Sequence, residues 1–351
     1  MVFNPLFWRI ILVIILSVTS IALYIISYRG FKKKNLYGGF STLSCALFLS
    51  FFGLYGIFLP LFPWPYGPFF VIVIFIILIV NFIIWIIRKI LNKTEEKTEQ
   101  QYKKDLTLKG EYLRKISHLV GILVPIGYYW VYPFLNNWIY SFISGIGKEF
   151  YEVLWGDISL YPYSSFDPNA PGELILFTLW ISLMFFLVPE FIRLLVRPEY
   201  SIFHGILKSV LRAKEYVSIG PQVLLILGAV FGFFLSSLGL YSYEIAVSAT
   251  FTACLADGLV AVIGRRFGNH AVKLINGDKK SLEGFIAGFL SAYVFSMIIL
   301  GPIYAVFAAI IFLILDIFPI PIGDNLLNPI LLSIGVWGMQ ILIQLPIGWS
   351  F

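Results

Sequence analysis

The residues of this chain best suited to chemistry lie at 253–284, in the stretch ACLADGLVAVIGRRFGNHAVKLINGDKKSLEG. Asp257 stands inside a strongly apolar run, where an ionisable side chain is costly and points to function by default. On a helix, Ala253, Asp257, Ala261, Gly264 and Gly268 fall on one face. That face is made of small residues and one carboxylate, so a second backbone or a ligand could approach it closely. Arg265, Arg266, Lys273, Lys279 and Lys280 follow, and Glu283 stands where the next apolar run begins. Several cations with backbone N–H groups suit a polyphosphate, which usually arrives with Mg²⁺ held by a carboxylate. No GxxxxGK[ST] is present, so this is not a P-loop. Plainer readings stand beside this one. Asp257 could pair with an arginine of its own helix, and the bases could simply mark the cytoplasmic side or attract anionic lipid heads.

Three further constellations share this character. In EYLRKISHLVG, Arg114 and Lys115 precede His118 by four and three residues and can face one side of a helix with it. The alternative is snorkelling bases beside a core histidine. In VPEFIRLLVRPEY, Glu190 and Arg193 are three apart, the spacing of a local ion pair; the rival role for Glu190 is as a metal ligand. Arg212, Lys214 and Glu215 follow, as interface anchors or part of the same site. In LDIFPIPIGDNLLNP, Pro319, Pro321, Gly323 and Pro329 forbid a continuous helix around Asp316, Asp324 and Asn325. Irregular backbone at membrane depth is tolerated where it lines a cavity or is covered by protein, so this segment is either a site wall or a tight interhelical turn.

The elements holding these residues are set by composition. Of 351 residues, 59% are hydrophobic, 18% aromatic and only 13% charged, against about 25% charged in a soluble domain. Mean hydropathy is +0.89. These values predict an all-α, polytopic integral membrane protein. A bilayer core needs about 20 apolar residues per helix, which gives about ten transmembrane helices: 4–28, 40–60, 67–87, 113–133, 172–195, 219–238, 242–264, 284–300, 302–320 and 328–348. The runs are continuously apolar rather than alternating, which argues against a β-barrel. The first run has no basic n-region or small-residue cleavage site and reads as a retained helix. An interfacial helix is expected near 136–155, with its tryptophans at headgroup depth.

Lysine and arginine set the orientation. The segments 29–34, 88–115, 193–214 and 265–280 hold 23 of the 25 basic residues. An N-out/C-out arrangement puts all four on the cytoplasmic face. The net charge of +6 is explained by that asymmetry, so no nucleic-acid partner is implied. Residues 1–110 form a plain three-helix region with a charged linker, whose apolar faces suit a homo-oligomer contact. Residues 111–351 carry the polar clusters and form the expected catalytic region. Cys45 and Cys254 lie far apart in apolar runs and make neither a metal-ligand spacing nor a disulfide framework.

The motifs RKISH (114–118), PEFIRLL (189–195), ADGLVAVIGRRFG (256–268), KKSLEG (279–284) and GDNLLNP (323–329) occur in the order seen in the polyprenol kinase family. That family includes dolichol kinase, phytol kinase and a CTP-dependent diacylglycerol kinase. The resemblance covers about 111–351, and its most specific part is the Asp-Gly…Gly-Arg-x-Phe-Gly and Lys-Ser-x-Glu-Gly pair. Gly323 departs from the family, which often has a second acidic residue there, and so does Asn328, where a threonine- or isoleucine-like residue is common.

The resemblance implies transfer of the γ-phosphoryl group of CTP to the hydroxyl of an isoprenoid alcohol in the membrane. Dolichol or polyprenol is the expected acceptor, with phytol, geranylgeraniol or diacylglycerol as alternatives. By the same resemblance Asp257 holds Mg²⁺, with Glu283 and Glu190 as further candidate ligands. Gly258, Gly264, Arg265, Arg266, Gly268, Lys273, Lys279, Lys280 and Ser281 surround the triphosphate, joined by Glu283, Arg114 and Asn325. Lys115 and His118 orient the acceptor or the γ-phosphate, and the general base is Asp257, Asp324 or His118. The nearest rival is a cytidylyltransferase forming a CDP-lipid; a lipid transporter is a more distant one. Either kinase or cytidylyltransferase would work on the cytoplasmic side of a cell membrane or of the endoplasmic reticulum.

Overall fold

The structure, a computed structural model, describes residues 4–91, 114, 117–205, 211–212, 215–274, 279–318, 320 and 322–348. The chain is a multi-pass membrane protein built almost wholly of helices. Among the described residues eight helices are long and apolar enough to cross a membrane. In chain order the helices are α1 (Pro5–Lys32), α2 (Leu36–Phe58), α3 (Tyr66–Leu91), α4 (His118–Ser144), α5 (Lys148–Trp155), α6 (Ala170–Val196), α7 (Pro221–Ser237), α8 (Tyr243–Phe267), α9 (Leu282–Leu300), α10 (Pro302–Ile317) and α11 (Asp324–Ile343). The short helix α5 and the two apolar helices α7 and α10, of 17 and 16 residues, fall outside the eight. At 1.5 Å per residue the latter two span only about 25 Å.

Helix ends follow the sequence. Asn4 caps α1 by accepting a hydrogen bond from the Leu6 N–H at 2.9 Å, with Pro5 in the first turn and Arg29 and Lys32 in the last. Gly301, at φ +80°, separates α9 from α10, and its α-carbon faces the Gly348 carbonyl so closely that a side chain would collide. One expectation needs correction. The segment 136–155 is not one interfacial helix: residues up to Ser144 prolong α4, a turn at 145–147 intervenes, and α5 follows. The all-α framework carries one small hairpin besides. Ala271–Lys273 (β1) and Lys279–Ser281 (β2) form an antiparallel hairpin, with Ala271 opposite Ser281 and Lys273 opposite Lys279.

The chain divides into two compact units that do not follow a single cut. The first contains residues 1–104, 130–208 and 212–223. In it α1 and α2 meet closely at Gly30 and Gly39, where the Ser27 hydroxyl donates to the Gly39 carbonyl at 2.9 Å. Phe52 of α2, Phe70 of α3 and Phe62 of the connection between them each meet Trp180 of α6 edge to face, forming an aromatic core.

The second unit contains residues 105–129, 209–211 and 224–351. Its axis is α8, 72% of whose membrane-length window is buried, against 44% or less in every other long helix. Small residues allow this. Ala249, Ala253 and Ala256 of α8 pack with Ala292 of α9, Ala309 and Phe312 of α10 and Leu332 of α11. The Thr252 and Ser296 hydroxyls share a buried hydrogen bond of 3.0 Å between α8 and α9.

Candidate functional site

The second unit gathers most of the predicted residues at one end of α8. The start of α4 crosses α8 where Gly121 meets Cys254; a β-carbon on Gly121 would lie 2.4 Å from Cβ of Cys254. This contact sets the next pair of side chains. His118 is one turn before Gly121 and Asp257 one turn after Cys254, so the crossing brings His118 Nδ1 to 3.7 Å from Asp257 Oδ2. The distance is that of an ion pair rather than a direct hydrogen bond. The histidine side chain is 5% exposed and the aspartate 18%. Gly258 has open space where a side chain would stand, which leaves room beside the carboxylate. Arg114 is buried one turn before His118. Lys115 lies outside the described residues.

At the end of α8 the glycines admit a second backbone at close range. A β-carbon on Gly264 would sit 2.9 Å from the Ser281 Oγ and 3.4 Å from Cα of Gly284; one on Gly268 would strike the Gly264 carbonyl and the Ser281 side chain. Ser281 fills this space. Its hydroxyl caps α9 by accepting the Gly284 N–H at 3.1 Å and donates to the Gly264 carbonyl at 3.3 Å. The two glycines and Ser281 thus lock the hairpin and the start of α9 onto the end of α8.

That lock fixes the bases. Arg265 and Arg266 occupy the exposed last turn of α8. Lys273 and Lys279 are directly opposite each other across the hairpin, a like-charge juxtaposition that an anion would relieve. Lys280 turns instead to Asp316 at the end of α10, donating to its carboxylate and, at 3.0 Å, to its backbone carbonyl. Asp316 is within electrostatic reach of both Asp257 and Asp324. Asp324 opens α11 in an exposed position, with Asn325 buried beside it. Helix α10 ends at Ile317 and α11 begins at Asp324, so the helical run is interrupted between them; Pro329 lies inside α11, and Pro319 and Pro321 lie outside the described residues.

Glu283 is engaged locally. It accepts the backbone N–H groups of Asn269 and His270 at 3.1 and 3.2 Å and meets His270 Nδ1 at 2.7 Å. Glu190 belongs to the first unit. Its carboxylate is held by Arg193 at 3.2 and 2.5 Å and by the Gly220 N–H at 3.0 Å, while Arg193 also donates to the Tyr216 and Ser218 carbonyls. The ion-pair reading of that motif describes these contacts. Among the described residues no three His, Cys, Asp or Glu side chains gather as a metal-ligand group.

His270, the partner of Glu283, has no place in the sequence motifs, and Asp316, the partner of Lys280, stands there only beside the broken segment, with no role of its own. A signal for Asp316 did exist: it is the one carboxylate in the apolar run of α10, as Asp257 is in its own. No family model matches the chain, and no curated protein or solved structure matches it either.

Proposed function

We propose that this protein is a lipid kinase of the polyprenol kinase type, which transfers the γ-phosphoryl group of CTP to the hydroxyl of a dolichol- or polyprenol-like alcohol at the cytoplasmic face, in an N-out/C-out arrangement. The observation that carries the reading is the grouping, at one end of α8, of Asp257 with His118, Asp316 and a cationic hairpin. Phosphoryl transfer depends on positioning and charge neutralisation more than on covalent help from the protein, and these groups supply both signs of charge.

The residues fit Mg²⁺. This ion is usually held by one or two carboxylates, with water and substrate phosphates in its other positions, so a site without three clustered protein ligands suits it. Asp257 would hold it, partly exposed beside the open space at Gly258, and bound there it would offset charge on the β- and γ-phosphates. Arg265, Arg266, Lys273 and Lys279 attract the triphosphate from water. The lock at Gly264, Gly268 and Ser281 holds them in place, and His118 orients the Asp257 carboxylate.

The test is phosphoryl transfer by the purified protein in detergent with Mg²⁺, using γ-labelled CTP and ATP with dolichol-length alcohol, phytol-length alcohol and diacylglycerol. Label entering one lipid, and lost in Asp257→Asn, supports the kinase and names its donor and acceptor. Pyrophosphate release from CTP with a lipid phosphate, and no labelled lipid from any alcohol, would replace it with the cytidylyltransferase reading.

A further inference from the structure

A groove of about 400 Å³ lies between the start of α1 and the connection from α2 to α3, within the roughly 300–1,000 Å³ typical of small-molecule sites. All its lining residues belong to the first compact unit. Leu12, Leu61 and Phe62 form a buried apolar floor, and Leu6 at the lip is exposed. Because α1 is long and apolar enough to cross a membrane, that lip meets lipid. Trp8 and Trp64 line the groove as well, and tryptophan is the residue of the membrane–water interface.

One wall is cationic. Arg9 lines the groove and lies about one turn into α1, at the opposite end of that helix from Arg29 and Lys32. Its Nε donates to the Gly56 carbonyl at 2.7 Å and its Nη2 to the Ile57 carbonyl, so one edge of the guanidinium holds the last turn of α2. Those bonds alone would make Arg9 a helix cap. A guanidinium has five N–H donors, however. The edge made by Nη1 and the second hydrogen of Nη2 is uncommitted among the described residues. The charge is unmatched too. Of the two bases outside the four basic segments, Lys148 pairs with Glu152 at 3.7 Å. Arg9 takes part in no ion pair of the described residues, and no Asp or Glu lines the groove. A cation beside hydrocarbon without a counter-charge is costly, and the free edge of an arginine fits two oxygens of one phosphate.

We propose that this groove binds an anionic phospholipid of the leaflet at that end of α1, with the headgroup phosphate on the free edge of Arg9 and an acyl chain over Leu12, Leu61 and Phe62. Charge complementarity selects the phosphate, and the apolar floor selects a ligand with a hydrocarbon chain over free phosphate. The lack of a lining carboxylate leaves the ammonium of a zwitterionic headgroup without a partner. The wall is prepared for a ligand: Pro60, Pro63 and Pro68 restrict its backbone, and Trp64 Nε1 donates to the Trp155 carbonyl at 2.9 Å. The site lies in the first unit and does not depend on the phosphoryl-transfer reading.

The experiment is photo-crosslinking of the full chain in nanodiscs by phosphatidylglycerol or phosphatidylcholine, each carrying a diazirine in one acyl chain, with labelled peptides mapped by mass spectrometry. Label on the start of α1 and on 60–68 should be about tenfold stronger from phosphatidylglycerol, and excess inorganic phosphate should not reduce it. Arg9→Gln should bring the two probes level. Gly67 lines the groove at a point where a β-carbon meets nothing within 4 Å, so Gly67→Phe should fill the groove, leave Arg9 in place and cut the phosphatidylglycerol label about tenfold. Equal labelling of the unaltered protein by the two probes, label spread evenly over lipid-facing helices, a preference that survives Arg9→Gln, or label undiminished by Gly67→Phe would overturn the proposal. Displacement by inorganic phosphate would overturn it in favour of a free anion. Should Arg9→Gln fail to fold, the two probes on the unaltered protein and Gly67→Phe still decide.

Discussion

Each compact unit sets a carboxylate against a cation near a helix end, and the two pairs are built differently. In the first, Glu190 and Arg193 are 1% and 2% exposed, and the pair is closed by the Gly220 N–H and the Tyr216 and Ser218 carbonyls. In the second, Lys280 and Asp316 are partly exposed, one oxygen of Asp316 is left over, and two further carboxylates are in electrostatic range. A pair whose hydrogen-bonding capacity is filled holds backbone together. The second pair is not closed in that way. Charge at a helix end is therefore not itself the mark of a site; what its neighbours leave unfilled is.

The sharpest way to break this comparison is to open the closed pair. Glu190→Gln leaves Arg193 buried without its counter-charge and should cost about 3–5 kcal/mol, whereas replacing both, as Glu190→Leu with Arg193→Met, should cost much less. Reversible unfolding in mixed detergent would measure both. Equal losses would show that the pair is not acting as a closed unit.

Asp257→Asn should act in the opposite sense, lowering the proposed phosphoryl transfer by roughly 100- to 1,000-fold with little change in unfolding, because the side chain is partly exposed. A loss of stability as large as that of Glu190→Gln would make Asp257 a structural residue. Next in size is the crossing that sets the His118–Asp257 spacing. Gly121→Ala would press on Cys254 and should cost about 1–3 kcal/mol, with reduced transfer, while Gly258→Ala, which meets nothing within 4 Å, should stay within about 0.5 kcal/mol in stability. The smallest effect is expected at the hydroxyl pair between α8 and α9: Ser296→Ala should cost about 0.6 kcal/mol, and a much larger loss would mean that this bond organises the site.

Much of the fold was legible in residue order. The break at Gly301-Pro302, the interruption between α10 and α11 and the caps at Asn4 and Ser281 need only local backbone preferences. The hairpin was not legible, since strands of three residues are too short to show a period of two and their pairing is fixed by the Ser281 lock. Nor was the short helix α5 distinguishable from the end of α4, because both are aromatic-rich and their separation depends on the turn at 145–147. Within the site, the candidate residues around Asp257 could be named from type and spacing. Which of them touch could not.

The sequence by itself determined a helical, multi-pass membrane chain with most of its charge outside the apolar runs, because burying backbone in lipid leaves helices as the solution for continuous apolar runs. It also determined that Asp257 and Asp316 are unusual, since each is a lone carboxylate in an apolar segment. Tertiary structure alone decided their company. The approach of Gly121 to Cys254 turns His118 toward Asp257, and the Ser281 lock carries Lys280 across to Asp316. These partners are 139 and 36 positions apart in the chain, and close packing of small residues, not local propensity, brings them within reach.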